Sequence, residues 1–142
     1  MPHTILIIDD NDAFRGMLRT VLDARGYRVV VARTGADGLQ VAAQQPIDAA
    51  LVDVEMSPMD GFEFCQQFQE QSKAAGRDVP MWIMTGVLRP GLTKRAAAVG
   101  ALVVLRKPLN IEATCAQFER EFRQRTERAE SAAEADSGPP SA

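Results

Sequence analysis

Short apolar runs alternate along the chain with longer stretches in which apolar residues recur every three or four positions, so the pattern predicts strands and amphipathic helices in turn. Thr4–Ile8 reads as a first strand. Behind the capping candidates Asn11 and Asp12, the residues Phe14, Met17, Leu18, Val21 and Leu22 fall on one helical face, and Gly26 ends that helix. A second strand is expected at 27–32, then a helix from about Gly35 that turns Leu39, Ala42 and Ala43 inward until Pro46 stops it. The third strand, Ala49–Asp53, is apolar on both faces, as a central strand covered from either side should be. A third helix begins near Asp60 and Gly61 with Phe64 and Phe68 four apart, and runs into a polar segment at 69–78. A fourth strand follows at 79–85, and beyond Pro90 and Gly91 a short alanine-rich helix ends near Gly100. A fifth strand lies at 102–105, and Ile111, Cys115, Phe118 and Phe122, spaced 4, 3 and 4, form the stripe of a fifth helix.

This alternation predicts an α/β fold, a doubly wound parallel sheet with helices on both faces. The usual order for five such strands is 2-1-3-4-5, which reverses direction between strands one and three and gathers ligands at that reversal; the order comes by analogy, not from the residues. The chain has 142 residues, enough for one sizeable core. One domain over 1–125 is therefore expected, with 126–142 a disordered or partly helical tail, because beyond Arg125 no apolar stripe continues. So short a tail falls well under the roughly 40 residues of an independent module, so a stand-alone domain without an attached output module is expected.

A net charge of −3 gives no global attraction to nucleic acid or anionic membrane, so neither direct DNA binding nor membrane association is expected. Residues 1–8 carry no Lys or Arg and only four consecutive Ile or Leu residues, too little for a signal peptide or a membrane span, and a cytoplasmic protein is expected. Cys65 and Cys115 lack the spacings of metal or disulfide frameworks and read as buried thiols, while His3 is assigned no role.

The chemistry is expected at the strand ends. Asp9 and Asp10 follow strand one and Asp53 ends strand three, so in this topology all three project into one crevice at the carboxyl edge. Carboxylates about 4–5 Å apart repel by roughly 3–4 kcal/mol at an effective dielectric near 20, which calls for a cation. Mg²⁺ suits an open acidic edge, because its octahedral shell is completed by waters and a substrate phosphate. Strand four supplies the hydroxyl of Thr85, followed by Gly86, which leaves room beside it, and strand five leads to the ammonium of Lys107. Taken singly, an Asp pair after a strand is most often a helix cap and a strand-end Thr or Lys is most often structural. Four strand ends presenting acid, acid, hydroxyl and ammonium reverse that reading.

These residues resemble response-regulator receiver domains over 4–123. The likeness is carried by Asp9-Asp10, the stretch ARTGADGL at 32–39, Asp53 with Met59-Asp60-Gly61, Thr85-Gly86, Gly100-Ala101 and Lys107-Pro108. The resemblance implies a flavodoxin-like sheet with five helices and a phosphoacceptor, Asp53, that takes a phosphoryl group from a histidine kinase or histidine phosphotransfer protein. It implies that Asp10, Asp53 and the backbone carbonyl of Glu55 hold Mg²⁺, that Asp9 acts through a metal-bound water, and that Lys107 and Thr85 contact the transferred group. Thr85 would move toward that group as the following loop rearranges, and Lys107-Pro108 looks like the family's cis peptide. The implied protein signals to a downstream protein by conformational change, with a homodimer through helix four, strand five and helix five as one route. It catalyses its own phosphotransfer and dephosphorylation and is not otherwise an enzyme.

Three positions depart from the family pattern. The proline expected directly after Met56 is displaced to Ser57-Pro58, the aromatic switch residue three before the lysine is Val104, and Glu55 adds a carboxylate that would bind the cation or obstruct hydrolytic water. Two other readings compete. A receiver-like module could bind partners without accepting phosphate, and a haloacid-dehalogenase-like phosphatase would share an Asp nucleophile, Mg²⁺, a hydroxyl and a Lys, although there the nucleophile ends the first strand.

Overall fold

The structure, a computed structural model, describes residues 2–136, with side chains described to residue 134. Five parallel strands form one sheet in the order β2-β1-β3-β4-β5: β1 Thr4–Ile8, β2 Arg28–Ala32, β3 Ala49–Asp53, β4 Met81–Thr85 and β5 Val103–Arg106. Helices α1 Asp12–Ala24, α2 Gly35–Gln44, α3 Gly61–Ala74 and α4 Leu92–Ala98 connect them, and α5 Ile111–Asp136 follows. Strands β1, β3 and β4 are buried along their whole length, whereas edge strands β2 and β5 are partly exposed. This is why their sequences are continuous apolar runs without alternation: both faces of the sheet's centre are covered.

Helices α1, α2 and α3 start where short polar side chains replace the missing intrahelical acceptors. Asn11 accepts from the amide of Phe14 at 2.9 Å, Thr34 from that of Asp37 at 3.1 Å and Asp60 from that of Glu63 at 2.9 Å. Gly26, with φ of 92°, takes the left-handed conformation just beyond α1, where a side chain would be strained. Leu6 and Ile8 of β1, Ala50 and Val52 of β3, and Met81 and Ile83 of β4 share one core cluster with Phe64 and Phe68 of α3 and Leu92 and Ala96 of α4. Within that layer the rings of Phe64 and Phe68 stack, their centroids 5.4 Å apart.

Strand β4 begins two residues later than its apolar run predicts, because Pro80 has no amide to donate; only its carbonyl enters the ladder, accepting from Ala50. Ala43 is exposed and not inward-facing: α2 buries Gly35 and Gly38, and Ala43 lies round the helix from that face. Met17 likewise sits at the margin of its face, 39% exposed.

The described residues divide into two compact units, one up to Leu109 and one from Asn110 onward. The first holds the sheet and helices α1 to α4. In the second, Asn110 caps α5 by accepting from the amide of Ala113 at 3.0 Å, and the Phe118 and Phe122 rings are tilted against each other at 6.3 Å. The helix passes Arg125 and runs on to Asp136 with its side chains exposed from Glu127 to Glu134. The rest of the expected tail lies outside the described residues. Among those residues, no helix is long and apolar enough to cross a membrane.

Candidate functional site

The site lies at the carboxyl ends of the strands, and strand register assembles it. Asp53 is paired with Met84, and past these ends the ladder continues: Val54 donates to the carbonyl of Met84 at 2.9 Å and Lys107 to that of Thr85 at 2.8 Å. Asp9 is joined to β2 through its amide, 3.2 Å from the carbonyl of Ala32. One oxygen each of Asp9, Asp10 and Asp53 lie within 4.8 Å of one another. Asp9 and Asp53 are buried, at 0% and 2% exposure, and Asp10 is exposed, so the cluster opens to solvent on one side.

Lys107 reaches into this group of anions. Its Nζ is 2.7 Å from Oδ2 of Asp9 and 3.3 Å from Oδ1 of Asp53. The ring of Phe14 lies under the same ammonium, 4.4 Å away, adding a cation–π contact. Asp9 is held further by the amide of Asn11, which donates to Oδ1 at 2.9 Å, while Nη1 of Arg15 donates to its backbone carbonyl at 2.7 Å. These roles of Phe14, Asn11 and Arg15 were not foreseen from sequence. Phe14 counts there only as an apolar position of the α1 stripe, and nothing local signals that its ring lies beneath a lysine 93 residues further on.

Burial, followed by the Asp9 carboxylate, pushes the Asp53 carboxyl up to about 7, with Lys107 opposing. Burial works against the charge on Lys107, yet its hydrogen bond to Asp9 and the charges of Asp53 and Asp9 outweigh this and raise it. Removing this ammonium leaves two buried carboxylates without their counter-ion, so Lys107→Met is expected to cost about 2–3 kcal/mol of stability at neutral pH. Urea denaturation measures it, and adding Mg²⁺ should restore part of the loss by supplying a replacement cation.

Thr85 is fully buried, and its hydroxyl oxygen lies 2.6 Å from Oε1 of Glu55. Burial opposes the ionised form of Glu55, but hydrogen bonds led by that from Thr85 hold its carboxyl below the usual range. The Glu55 carboxylate is thus directed at the hydroxyl, and it also meets the Asp53 carboxyl, where it adds to the upward push on Asp53. The Glu55 amide donates to Oδ1 of Asp53 at 3.3 Å. Gly86 has open space where a Cβ would stand, so the room expected there is room toward solvent. Val104 packs, partly buried, against the core cluster. Both Ser57-Pro58 and Lys107-Pro108 are cis. The loop after β3 is pinned by Met56, which is buried in the core, and by the amides of Met56 and Gly61, which both donate to the carbonyl of Val54 at 3.0 and 3.1 Å.

Residues 5–119 match the family described as the response regulator receiver domain. Among curated proteins, the response regulator MprA of Mycolicibacterium vanbaalenii is 34% identical over 128 residues, 89% of this chain and 53% of that protein. MprA of a Mycobacterium species is 35% identical over 83% of this chain and 50% of its own length. The chain thus spans about half the length of these curated relatives. Among solved structures, the chemotaxis protein CheY4 of Vibrio cholerae superposes with a TM-score of 0.77 at 31% identity, covering 84% of this chain and 98% of that one. A CheY-like receiver domain protein of Methanospirillum hungatei superposes with a TM-score of 0.81 at 21% identity over 90% and 99%, a likeness of fold. With its strand order, its acidic strand ends and its match over most of its length, this chain belongs to the response regulator receiver domain family of two-component signalling.

Proposed function

We propose that this chain accepts a phosphoryl group on Asp53 from a histidine kinase or histidine phosphotransfer protein, in a Mg²⁺-dependent reaction, and passes the signal on as a conformational change. The observation that carries this reading is the convergence of Asp9, Asp10 and Asp53 within 4.8 Å, with Lys107 bridging Asp9 and Asp53. An all-oxygen donor set with one open side fits a hard divalent cation, which keeps several waters and a phosphate oxygen in its shell. Asp10, Asp53 and the backbone carbonyl of Glu55 would hold Mg²⁺, with Asp9 acting through a water. Bound there, the ion neutralises the clustered carboxylates and the charge on the incoming phosphoryl oxygens.

The chain's own residues do the rest. An oxygen of Asp53 forms the new bond to phosphorus as the phosphorus–nitrogen bond to the donor imidazole breaks, and the imidazole leaves with the electron pair and takes up a proton. Lys107 is already beside Asp53 and supplies a positive charge to the transferred group. Thr85 supplies a hydroxyl once it is released from Glu55. The product is an acyl phosphate on Asp53, so the protein is a phosphoacceptor and not an enzyme that turns over an external substrate. Its partners are a kinase or phosphotransfer protein upstream and a protein target downstream, in the cytoplasm.

Incubation with acetyl phosphate and Mg²⁺, followed by intact-protein mass spectrometry, tests the reading. A gain of one phosphoryl group that disappears when EDTA replaces Mg²⁺ is expected. A protein that stays unmodified with every phosphodonor, kinases and phosphotransfer domains included, would be a partner-binding module instead.

A further inference from the structure

We propose that Glu55 is a latch on Thr85: its carboxylate occupies the threonine hydroxyl in the unphosphorylated protein and must be displaced before Thr85 can engage a phosphoryl group on Asp53. This rests on the phosphoacceptor reading of the site.

A hydroxyl has one proton to donate. That of Thr85 faces two acceptors, Oε1 of Glu55 at 2.6 Å and the carbonyl of Val87 at 2.9 Å, and the shorter, charge-assisted bond to the carboxylate takes the proton. The same oxygen accepts from the amide of Val87 at 3.2 Å. Thr85 therefore has no donor left for a third partner.

Glu55 is held in place to do this. Its amide is bonded to Asp53, and the amide of Val54 to the carbonyl of Met84, so the stretch after β3 runs beside the end of β4 and brings the carboxylate to the hydroxyl. The bond to Val87 ties the latch to the loop after β4, where Val87 and Leu88 stand exposed at 55% and 57%. Swinging the Thr85 hydroxyl toward Asp53 breaks its contacts with Glu55 and Val87 together. Glu55 is thus a positioning residue that sets how readily the site changes state.

Beryllofluoride with saturating Mg²⁺, a mimic of the phosphoryl group, tests this through its dissociation constant in a double-mutant cycle. Because a bond to a charged acceptor is lost on latching out, Glu55→Ala is expected to tighten beryllofluoride binding about tenfold, and Glu55→Gln by less because the amide oxygen still accepts. In a Thr85→Val background the Glu55→Ala gain should shrink to about twofold, since no hydroxyl remains to be latched. With neither ligand nor Mg²⁺ present, the Thr85 methyl resonance of Glu55→Ala should also be shifted from that of the wild type. An equal gain in both backgrounds would reduce Glu55 to a simple repulsive charge and overturn the latch. Weaker binding of both Mg²⁺ and beryllofluoride in Glu55→Ala would make it a cation ligand and overturn it too. If the wild type and every variant fail to bind beryllofluoride, the phosphoacceptor reading itself fails and the latch falls with it.

Discussion

Asp53→Asn is expected to abolish phosphorylation completely while making the metal-free protein more stable. The first effect follows from chemistry: an amide oxygen is too weak a nucleophile to displace a phosphoryl donor's imidazole, and no other carboxylate of the cluster is placed beside both Lys107 and the amide of Glu55. The second follows from the electrostatics of the unmetallated site. Burial and the neighbouring Asp9 push Asp53 up to about 7, against a usual value of 3.8.

A carboxyl whose pKa is raised by folding binds its proton more tightly in the native state, so stability falls as pH rises. Below about 4 both states are protonated and the residue costs nothing. Between about 4 and 7 the unfolded chain ionises first, and above 7 the penalty is complete. An asparagine does not ionise, so Asp53→Asn should match the wild type near pH 4 and exceed it by about 2 kcal/mol at pH 8, about half of what the shift alone implies because water at the open side of the site screens the charge. Urea denaturation at the two pH values in EDTA measures the difference, and phosphodonor labelling of the same samples measures the loss of function. Mg²⁺ should narrow the gap, because the ion neutralises the charge that asparagine removes. Equal stability at both pH values would mean that Asp53 does not carry the strain assigned to it.

Among the described glycines, Gly61 should be the least tolerant of alanine. A Cβ at this first residue of α3 would overlap the backbone carbonyl oxygen of Asp53 and press on the Asp53 carbonyl carbon and the α-carbon of Val54, at 3.0 Å each. The obstacles are main-chain atoms at the end of a central strand, not the tip of a movable side chain, so helix and strand must part. A loss of about 3 kcal/mol is expected. Because Asp53 sits at the point of overlap, Mg²⁺ binding and phosphodonor labelling should fall as well, even at temperatures where the variant is folded. By contrast Gly86→Ala, where nothing stands in the way, should be close to neutral in stability. Chemical denaturation of the pair separates close packing from a mere preference for glycine.

Local chemistry set much of this protein from sequence alone. Asn11, Thr34 and Asp60 cap the helices that follow them, and the uninterrupted apolar runs of β1, β3 and β4 mark strands covered on both faces. Each of these depends on a residue and its near neighbours along the chain. The acidic, hydroxyl and ammonium groups were legible for a related reason: they stand at the ends of strands, and parallel strands put their carboxyl ends on one edge. Where the residues gave only that edge, the family resemblance supplied the strand order and the roles.

The tertiary structure alone decided the pairings across long stretches of chain. Lys107 turned to both Asp9 and Asp53, the Phe14 ring came to lie beneath its ammonium, and Glu55 bonded the hydroxyl of Thr85. Sequence could not reveal these, because a flexible carboxylate or ammonium has several partners within reach, and which it takes depends on register and burial fixed by distant strands. Periodicity similarly could not say that Ala43 and Met17 lie off the buried face, since one helical step of rotation separates inside from outside. What the chain spells out locally is which elements form and which chemical groups they carry; what packing adds is which of those groups meet.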